Sequence, residues 1–278
     1  MQIERQAFYE PEDILSAVQD KVKETRKAGE RIDYLTFVPD GEPTLDINLK
    51  QEIDLLKPLN IPIAVITNSS LVWQQEVRKA LMEANLVSLK LDTVEEAGWH
   101  RVNRPHRGLK LASIIEAVLE FAHSFQGKLI TETMILSNVN DTDQHFNQVA
   151  NFLAHIQPIV VYLSIPTRPP AEEWAQPPGE NVINRAYQIL NEKVEHVEYL
   201  TGYEGNAFAF TGNVEEDLLS ITAVHPMRDD AVEALIKRAG VDWAIIRRMV
   251  MAGQVIETEY TGHKFYLRRF RKHYGEKN

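Results

Sequence analysis

Short apolar runs that end in polar loops alternate with longer amphipathic stretches through the first two-thirds of the chain. Tyr34-Leu35-Thr36-Phe37-Val38 is aromatic and β-branched and closes on Pro39-Asp40-Gly41, the pattern of a buried strand entering a loop. The unit recurs. Helical spacing over Leu49–Leu59 precedes a strand at Ile61–Ile66 that ends at Thr67-Asn68-Ser69-Ser70. Helix Trp73–Ala84 precedes strand Leu86–Leu91, and helix Leu111–Phe125 precedes strand Lys128–Leu136. Helix Asp143–Ile156, capped by Asp141 or Thr142, leads to strand Ile159–Ile165, and helix Asn181–Val194 to a short strand at His196–Leu200. Strand, polar loop and helix at a spacing of about 30 residues predict a parallel sheet with right-handed crossovers. Polar loops at the C-terminal ends of six strands point to a partial (β/α) barrel. A Rossmann sheet is the alternative, but no strand is followed by Gly-x-Gly-x-x-Gly or a Walker loop. The chain opens with a helix at Glu12–Lys27, stopped by Gly29, so such a barrel would lack its first strand.

The period breaks near Gly202–Gly212. A short helix at Glu215–Ile221, helices at Asp229–Ala239 and Asp242–Met251, and β-rich runs at Val255–Tyr260 and Lys264–Phe270 follow, the last two joined by Thr261-Gly262-His263. Helix, turn, helix and two-stranded hairpin form a winged-helix-like layout, with Trp243 in its core. Two domains are expected: a barrel over 1–203 and a C-terminal domain over 204–278.

Composition narrows the chemistry. The 278 residues carry 30 Lys+Arg against 40 Asp+Glu, a net charge of −10, and no cysteine. That excludes disulfides, thiol nucleophiles, cysteine-held zinc and any thiolate-ligated cluster within this sequence. With no signal-peptide pattern or membrane-length apolar run, the expected location is cytoplasmic, and the Asn-x-Ser/Thr matches at Asn68 and Asn140 carry little meaning. No His-Glu-x-x-His, His-x-His or Gly-x-Ser-x-Gly pattern occurs, so neither a dedicated zinc site nor a hydrolase elbow is expected.

The strand-end loops supply Gly41, Glu42 and Pro43; Thr67 and Asn68; Lys90 and Asp92; Arg101; Glu132 and Asn138; and Thr167 and Arg168. Each has a plain structural explanation. Gly41–Thr44 is a turn before a helix, Lys90–Asp92 an ion pair between barrel strands, and Arg101 and Arg104 solvated helix-end charges. Packing alone does not require polar residues at the same end of successive strands, however. Together they form a mixed-charge basin suited to a zwitterionic or nucleoside-bearing ligand.

These loops, Thr36–Leu45, Ile66–Leu71, Lys90–Asp92, Arg101–Pro105, Val139–Asp141 and Ile165–Pro170, together resemble the radical S-adenosylmethionine (SAM) superfamily. The nearest branch is the iron–sulfur oxidoreductases grouped with wyosine-type tRNA-modifying enzymes, and the likeness spans about residues 5–203. The resemblance implies a partial barrel that cleaves SAM reductively to a 5′-deoxyadenosyl radical. It implies that Gly41, Glu42 and Pro43 receive the SAM amino group and that Asn68 and Asp92 reach its methionine or ribose, with Thr67 and Asn138 also among the cofactor-binding candidates. Lys90 and Arg101 would take its carboxylate, and Thr167 and Arg168 would lie on the adenine or substrate side. It also implies a [4Fe–4S] cluster on Cys-x-x-x-Cys-x-x-Cys, which this sequence lacks. The expected function is therefore the C-terminal portion of a truncated radical SAM enzyme that retains its SAM rim but is incompetent for radical chemistry as written. The alternative is a degenerate, cluster-free barrel that binds SAM or a nucleoside or associates with RNA. Arg247, Arg248, Lys264, Arg268, Arg269, Arg271 and Lys272, interleaved with Tyr260, Phe265, Tyr266 and Phe270, suggest either tRNA or another nucleic acid as a partner or a small dimerisation or substrate-lid domain whose aromatics form its own core. An open first-strand edge suggests a homodimer.

Overall fold

The computed structural model describes residues 2–38, 41–170, 172–200, 210–224, 226–260 and 262–269. Two compact units emerge, one of Met1–Lys23 and Arg31–Tyr203, the other of Glu24–Glu30 and Glu204–Asn278. No described helix is long and apolar enough to cross a membrane.

The first unit is a six-stranded, all-parallel sheet in the order of the chain, β1-β2-β3-β4-β5-β6. Its strands are β1 (Leu35–Phe37), β2 (Ile63–Thr67), β3 (Leu86–Lys90), β4 (Lys128–Met134), β5 (Val160–Ser164) and β6 (Val197–Leu200). Its helices are α1 (Pro11–Lys27), α2 (Leu49–Leu56), α3 (Gln75–Leu81), α4 (Glu96–Val102), α5 (Leu111–Ser124), α6 (Asp143–Ile156) and α7 (Glu180–Asn191). Consecutive strand order is that of a partial barrel; a Rossmann sheet reverses direction from its first strand.

Side-chain alternation sorts the sheet into two faces. On one, Val65, Val87, Leu89, Leu129, Val161, Leu163 and Val197 pack against α2, α3, α5, α6 and α7 through Ile53, Val77, Phe121, Phe146, Leu153 and Ile189. Phe121 is fully buried and stacks on Phe125 at 4.9 Å between ring centroids. The opposite face carries Thr36, Ile66, Ser88, Lys90, Ile130, Glu132, Met134, Tyr162, Ser164, Glu198 and Leu200. It stays partly open: Ile66 is 41% exposed although β2 has a neighbour on each side.

Local chemistry sets the helix ends. Thr142 caps α6, its hydroxyl accepting from the His145 N–H at 3.3 Å, and Gln157 closes that helix in the left-handed region at φ 48°. α4 escapes the sequence pattern because its seven residues bury only Trp99, so no apolar stripe announces it. The helix expected at Trp73–Ala84 starts later, at Gln75, and leaves Trp73 exposed.

The second unit runs α8 (Val214–Val224), β7 (Met227–Arg228), α9 (Asp229–Ala239), α10 (Ala244–Met251), β8 (Val255–Tyr260) and β9 (His263–Arg268). Its sheet is antiparallel in the order β7-β9-β8. Acidic residues open α9 and basic ones close it, in line with the helix dipole, and Gly240 caps it at φ 69°. The two-residue β7 exists only through its pairing with β9, and no sequence pattern marks it. Trp243 is half-buried, tilted against Tyr266 at 5.8 Å.

One buried acid gives the fold a pH dependence. Glu52 in α2 is 4% exposed, and its Oε1 has no hydrogen-bond partner among the described residues. Burial, aided by the negative charge of Asp46, pushes its pKa from 4.5 to about 7. The folded state therefore holds a proton that the unfolded chain releases, so stability falls as pH rises from about 4.5 to about 7. Glu52→Gln is expected to flatten this slope in urea titrations, gaining stability at pH 8 and changing it little near pH 4.5.

Candidate active site

The rim residues assemble into linked clusters. The first joins the loops after β1 and β2. Glu42 is 8% exposed, and its Oε1 accepts from the Thr44 N–H (3.1 Å), the Thr44 hydroxyl (2.7 Å) and the Thr67 hydroxyl (2.6 Å). Its Oε2 accepts from the Asn68 N–H at 2.7 Å. Burial pushes the Glu42 pKa up against the pull of these four donors. Pro43 is buried at the start of a 3-10 turn that Glu42 caps. Gly41 is exposed, with nothing within 4 Å of where a Cβ would stand, so packing does not demand glycine there. Asp40 lies outside the described residues.

The Thr67 hydroxyl also accepts from the Ser69 N–H (3.1 Å), and the Ser69 hydroxyl donates to the Lys90 carbonyl (3.0 Å). This leads into the second cluster, on the open face. Lys90 Nζ lies 3.2 Å from Asp92 Oδ1 and 3.1 Å from Glu132 Oε1, which also accepts from the Ser164 hydroxyl at 2.8 Å. Register places Lys90 opposite Glu132, and Met134 opposite Ser164. Burial alone would depress the Lys90 ammonium, but the two carboxylates outweigh it and raise its pKa. Burial likewise opposes ionisation of Glu132, yet Lys90, the Ser164 hydroxyl and Arg168 hold it below the usual range.

Asp92 is held from several sides. Its Oδ1 accepts from the Met134 N–H (2.9 Å) and its Oδ2 from the Asn103 side chain (2.9 Å). Its carbonyl meets the Asn140 amide (3.0 Å) and His145 Nε2 (3.0 Å). Burial depresses the His145 pKa, and the neutral ring donates from Nε2 to this carbonyl. Asn140 is 1% exposed, and its side chain also bonds Leu136 N–H and the Met134 carbonyl, so its place in an Asn-x-Thr match is incidental.

The remaining candidates lie further out. The exposed Arg101 guanidinium donates to the Asn138 carbonyl at 2.8 Å, and Arg104 pairs with Glu172. Thr167 and Arg168 are half-buried in the loop after β5. The candidates thus share the C-terminal edge of β1–β5, but Glu42 and Thr67 are turned into loop packing while Lys90 and Glu132 face the open side. Ser69, Asn103 and Asn140 lie in the loops that carry the resemblance but are not among the candidate site residues, and His145 and Ser164 are not candidates either. Ser164 could have been, because it continues the two-residue alternation from Tyr162. A separate groove of about 650 Å³ opens at the other end of the sheet, lined by Tyr34, Met82, Asn85, Lys128 and Ile159 among others, and borders none of these residues.

The clusters offer carboxylates and an ammonium beside partly exposed apolar side chains, and they offer no ligand set for an iron–sulfur cluster. For the cluster there is no cysteine in the sequence, and no group of three or more metal-ligating His, Asp or Glu side chains among the described residues.

The first unit has the fold of radical SAM enzymes. It is similar to a crystal structure of a radical SAM methyltransferase from Sphaerobacter thermophilus, with a TM-score of 0.55 and 19% identity over 71% of this chain and 59% of that one. Archaeal TYW1 gives a TM-score of 0.52 at 16% identity, over 69% of this chain and 67% of that one. In sequence the chain is 44% identical to a UPF0026 protein of Methanocaldococcus jannaschii over 271 residues, 97% of this chain and 84% of that protein. It therefore belongs to the UPF0026 family. No family model matches it.

Two substitutions probe the clusters. Lys90→Met leaves two carboxylates without their shared cation and is expected to cost about 3–5 kcal/mol at neutral pH. The loss should shrink as acid protonates Glu132, which two-state urea unfolding across pH will show. Glu42→Ala orphans the N–H groups of Thr44 and Asn68 and is expected to cost about 1–3 kcal/mol by the same assay.

Proposed function

We propose that the open face of the sheet and its C-terminal rim bind SAM, and that the chain serves as the SAM-binding barrel of a radical SAM enzyme. One observation carries this reading. A polar row of Lys90, Glu132 and Ser164 crosses three adjacent strands, beside the exposed Ile66 and half-buried Ile130, Met134 and Tyr162, on the sheet face opposite the apolar core. Apolar side chains left partly in water on internal strands are what a ligand-covered surface requires.

When bound, SAM supplies a sulfonium carbon open to reductive cleavage. The chain's own residues bind and orient it. Gly41 lets backbone approach the methionine end, and Glu42 Oε2, with one donor already in place, retains an acceptor position for the ammonium. Lys90 and Arg101 attract the carboxylate. Asn68, Asp92 and Asn138 border the ribose side, and Thr67 fixes Glu42. Thr167 and Arg168 flank the adenine or substrate. The residues present do not fit a cluster, so no electron-transfer step is assigned to them.

A second reading, a cluster-free barrel that binds SAM or a nucleoside, is favoured by the complete lack of cysteine. Calorimetry of the purified chain with SAM tests what both share. Binding is expected, weakened about tenfold or more in Arg101→Ala, the loss of about 1.4 kcal/mol. A folded chain that gives no heat overturns both. Neither reading lets this chain hold iron by itself, so the coding sequence upstream of Met1 separates them: an in-frame Cys-x-x-x-Cys-x-x-Cys marks the radical SAM enzyme, and a stop codon with no such motif marks the cluster-free barrel.

The order α8-β7-α9-α10-β8-β9 with sheet order β7-β9-β8 supports reading 204–278 as a winged-helix-like domain distinct from the barrel.

A further inference from the structure

Parallel register sorts the open face of the sheet into rows that lie two residues apart along the strands. Lys90, Glu132, Tyr162 and Glu198 form one row, crossing β3 to β6. One step toward the strand N-termini, Ile66, Ser88, Ile130 and Val160 form a mainly apolar row. Ile130 and Val160 are half-buried, and neither is sealed from water.

The two ends of the polar row differ. At the β3 end Lys90 is satisfied between Asp92 and Glu132 Oε1. At the β6 end, Glu132 Oε2 and the Tyr162 hydroxyl have no hydrogen-bond partner among the described residues, and the exposed Glu198 has no ion pair there. Arg168, in the loop after β5, acts on Glu132 together with Lys90, so two cations face the three carboxylates of Asp92, Glu132 and Glu198. Burial, and then the charge of Glu198, raises the Tyr162 pKa, so the phenol keeps its proton. Glu132 and Glu198 flank Tyr162 from the strands on either side, their backbones about 10 Å apart.

We infer that the β4–β6 part of this face binds a small molecule carrying a protonated alkyl amine, its ammonium between Glu132 and Glu198 over the Tyr162 ring and its aliphatic stem along Ile130 and Val160. The inference rests on the reading of the barrel as a SAM-binding enzyme and names the class of its second ligand. An ammonium brings donors and no acceptor, which suits Glu132 Oε2 and the Glu198 carboxylate. It also gains from the negative face of an aromatic ring. The apolar row one step below takes methylene groups out of water. A phosphate or carboxylate group would instead meet two like charges, and a neutral alcohol would leave them unbalanced. The ammonium of SAM itself is assigned to Glu42, in the loop after β1, so the two cations do not compete for one site.

Calorimetry of the full chain with pentylamine, pentanol and pentanoate, each with and without SAM, tests this. At neutral pH the amine is expected to bind about tenfold tighter than either analogue of the same length. Glu198→Gln should weaken the amine about fivefold, and Tyr162→Leu should weaken it by a similar factor. Glu116→Gln, exposed on α5, should change nothing, and circular dichroism melts confirm that each variant folds. An amine that binds no better than pentanol, full amine affinity in Glu198→Gln, or displacement of the amine by SAM would each overturn the proposal. SAM heats in Glu198→Gln should match those of the parent chain. A parent that gives no SAM heat overturns the SAM reading alone, because the amine titrations without SAM give their own answer.

Discussion

A single ammonium, Lys90, joins the centre of the sheet to its rim. It spans two carboxylates, Asp92 beyond its own strand and Glu132 on the next, and Glu132 in turn takes the Ser164 hydroxyl from a third strand. Two carboxylates this close repel unless a cation stands between them, and neither can move outward without stranding Lys90 in partly dry surroundings. The Lys90 backbone carbonyl then receives Ser69, which is tied through Thr67 to Glu42. Hydrogen bonds from the Lys90 backbone thereby tie the middle of the sheet to loops two strands away.

The two faces of the sheet divide the labour. Aliphatic side chains under the helices supply the hydrophobic stabilisation that the fold needs. The other face, relieved of packing duty, can hold polar groups on β3, β4 and β5 and leave apolar side chains partly in water. Asp92 belongs to both worlds. Its carboxylate serves Lys90, while its carbonyl is the shared anchor of Asn140 and His145, which set the loop before α6. A change at Asp92 would therefore disturb the floor of the site and the course of that loop together.

Much of the barrel is legible in the sequence because most strands are short apolar runs closed by turn residues, as Ile63–Thr67 and Val160–Ser164 show. Long helices such as α5 and α6 announce themselves by periodicity. α4 and β7 do not, since a seven-residue helix that buries one tryptophan and a two-residue strand owe their existence to tertiary partners. In the site, Lys90 and Asp92 are readable as same-face neighbours, and alternation also reaches Glu132. What the sequence hides is occupancy. Nothing in Gly-Glu-Pro-Thr tells that Glu42 already accepts four hydrogen bonds from its own loops, or that Asn140 is buried with three.

Three loops at the rim hold a non-glycine residue in the left-handed region: Ser69 at φ 66°, Arg104 at 44° and Asn138 at 57°. Glycine would sit there more comfortably by about 1 kcal/mol. Yet each side chain is engaged, Ser69 with the Lys90 carbonyl, Arg104 with Glu172 and Asn138 with the Ser137 hydroxyl. Efforts to make the protein more heat-resistant by relaxing these turns would thus loosen the very edges that frame the opening, and a sturdier molecule obtained that way would have a blurrier mouth.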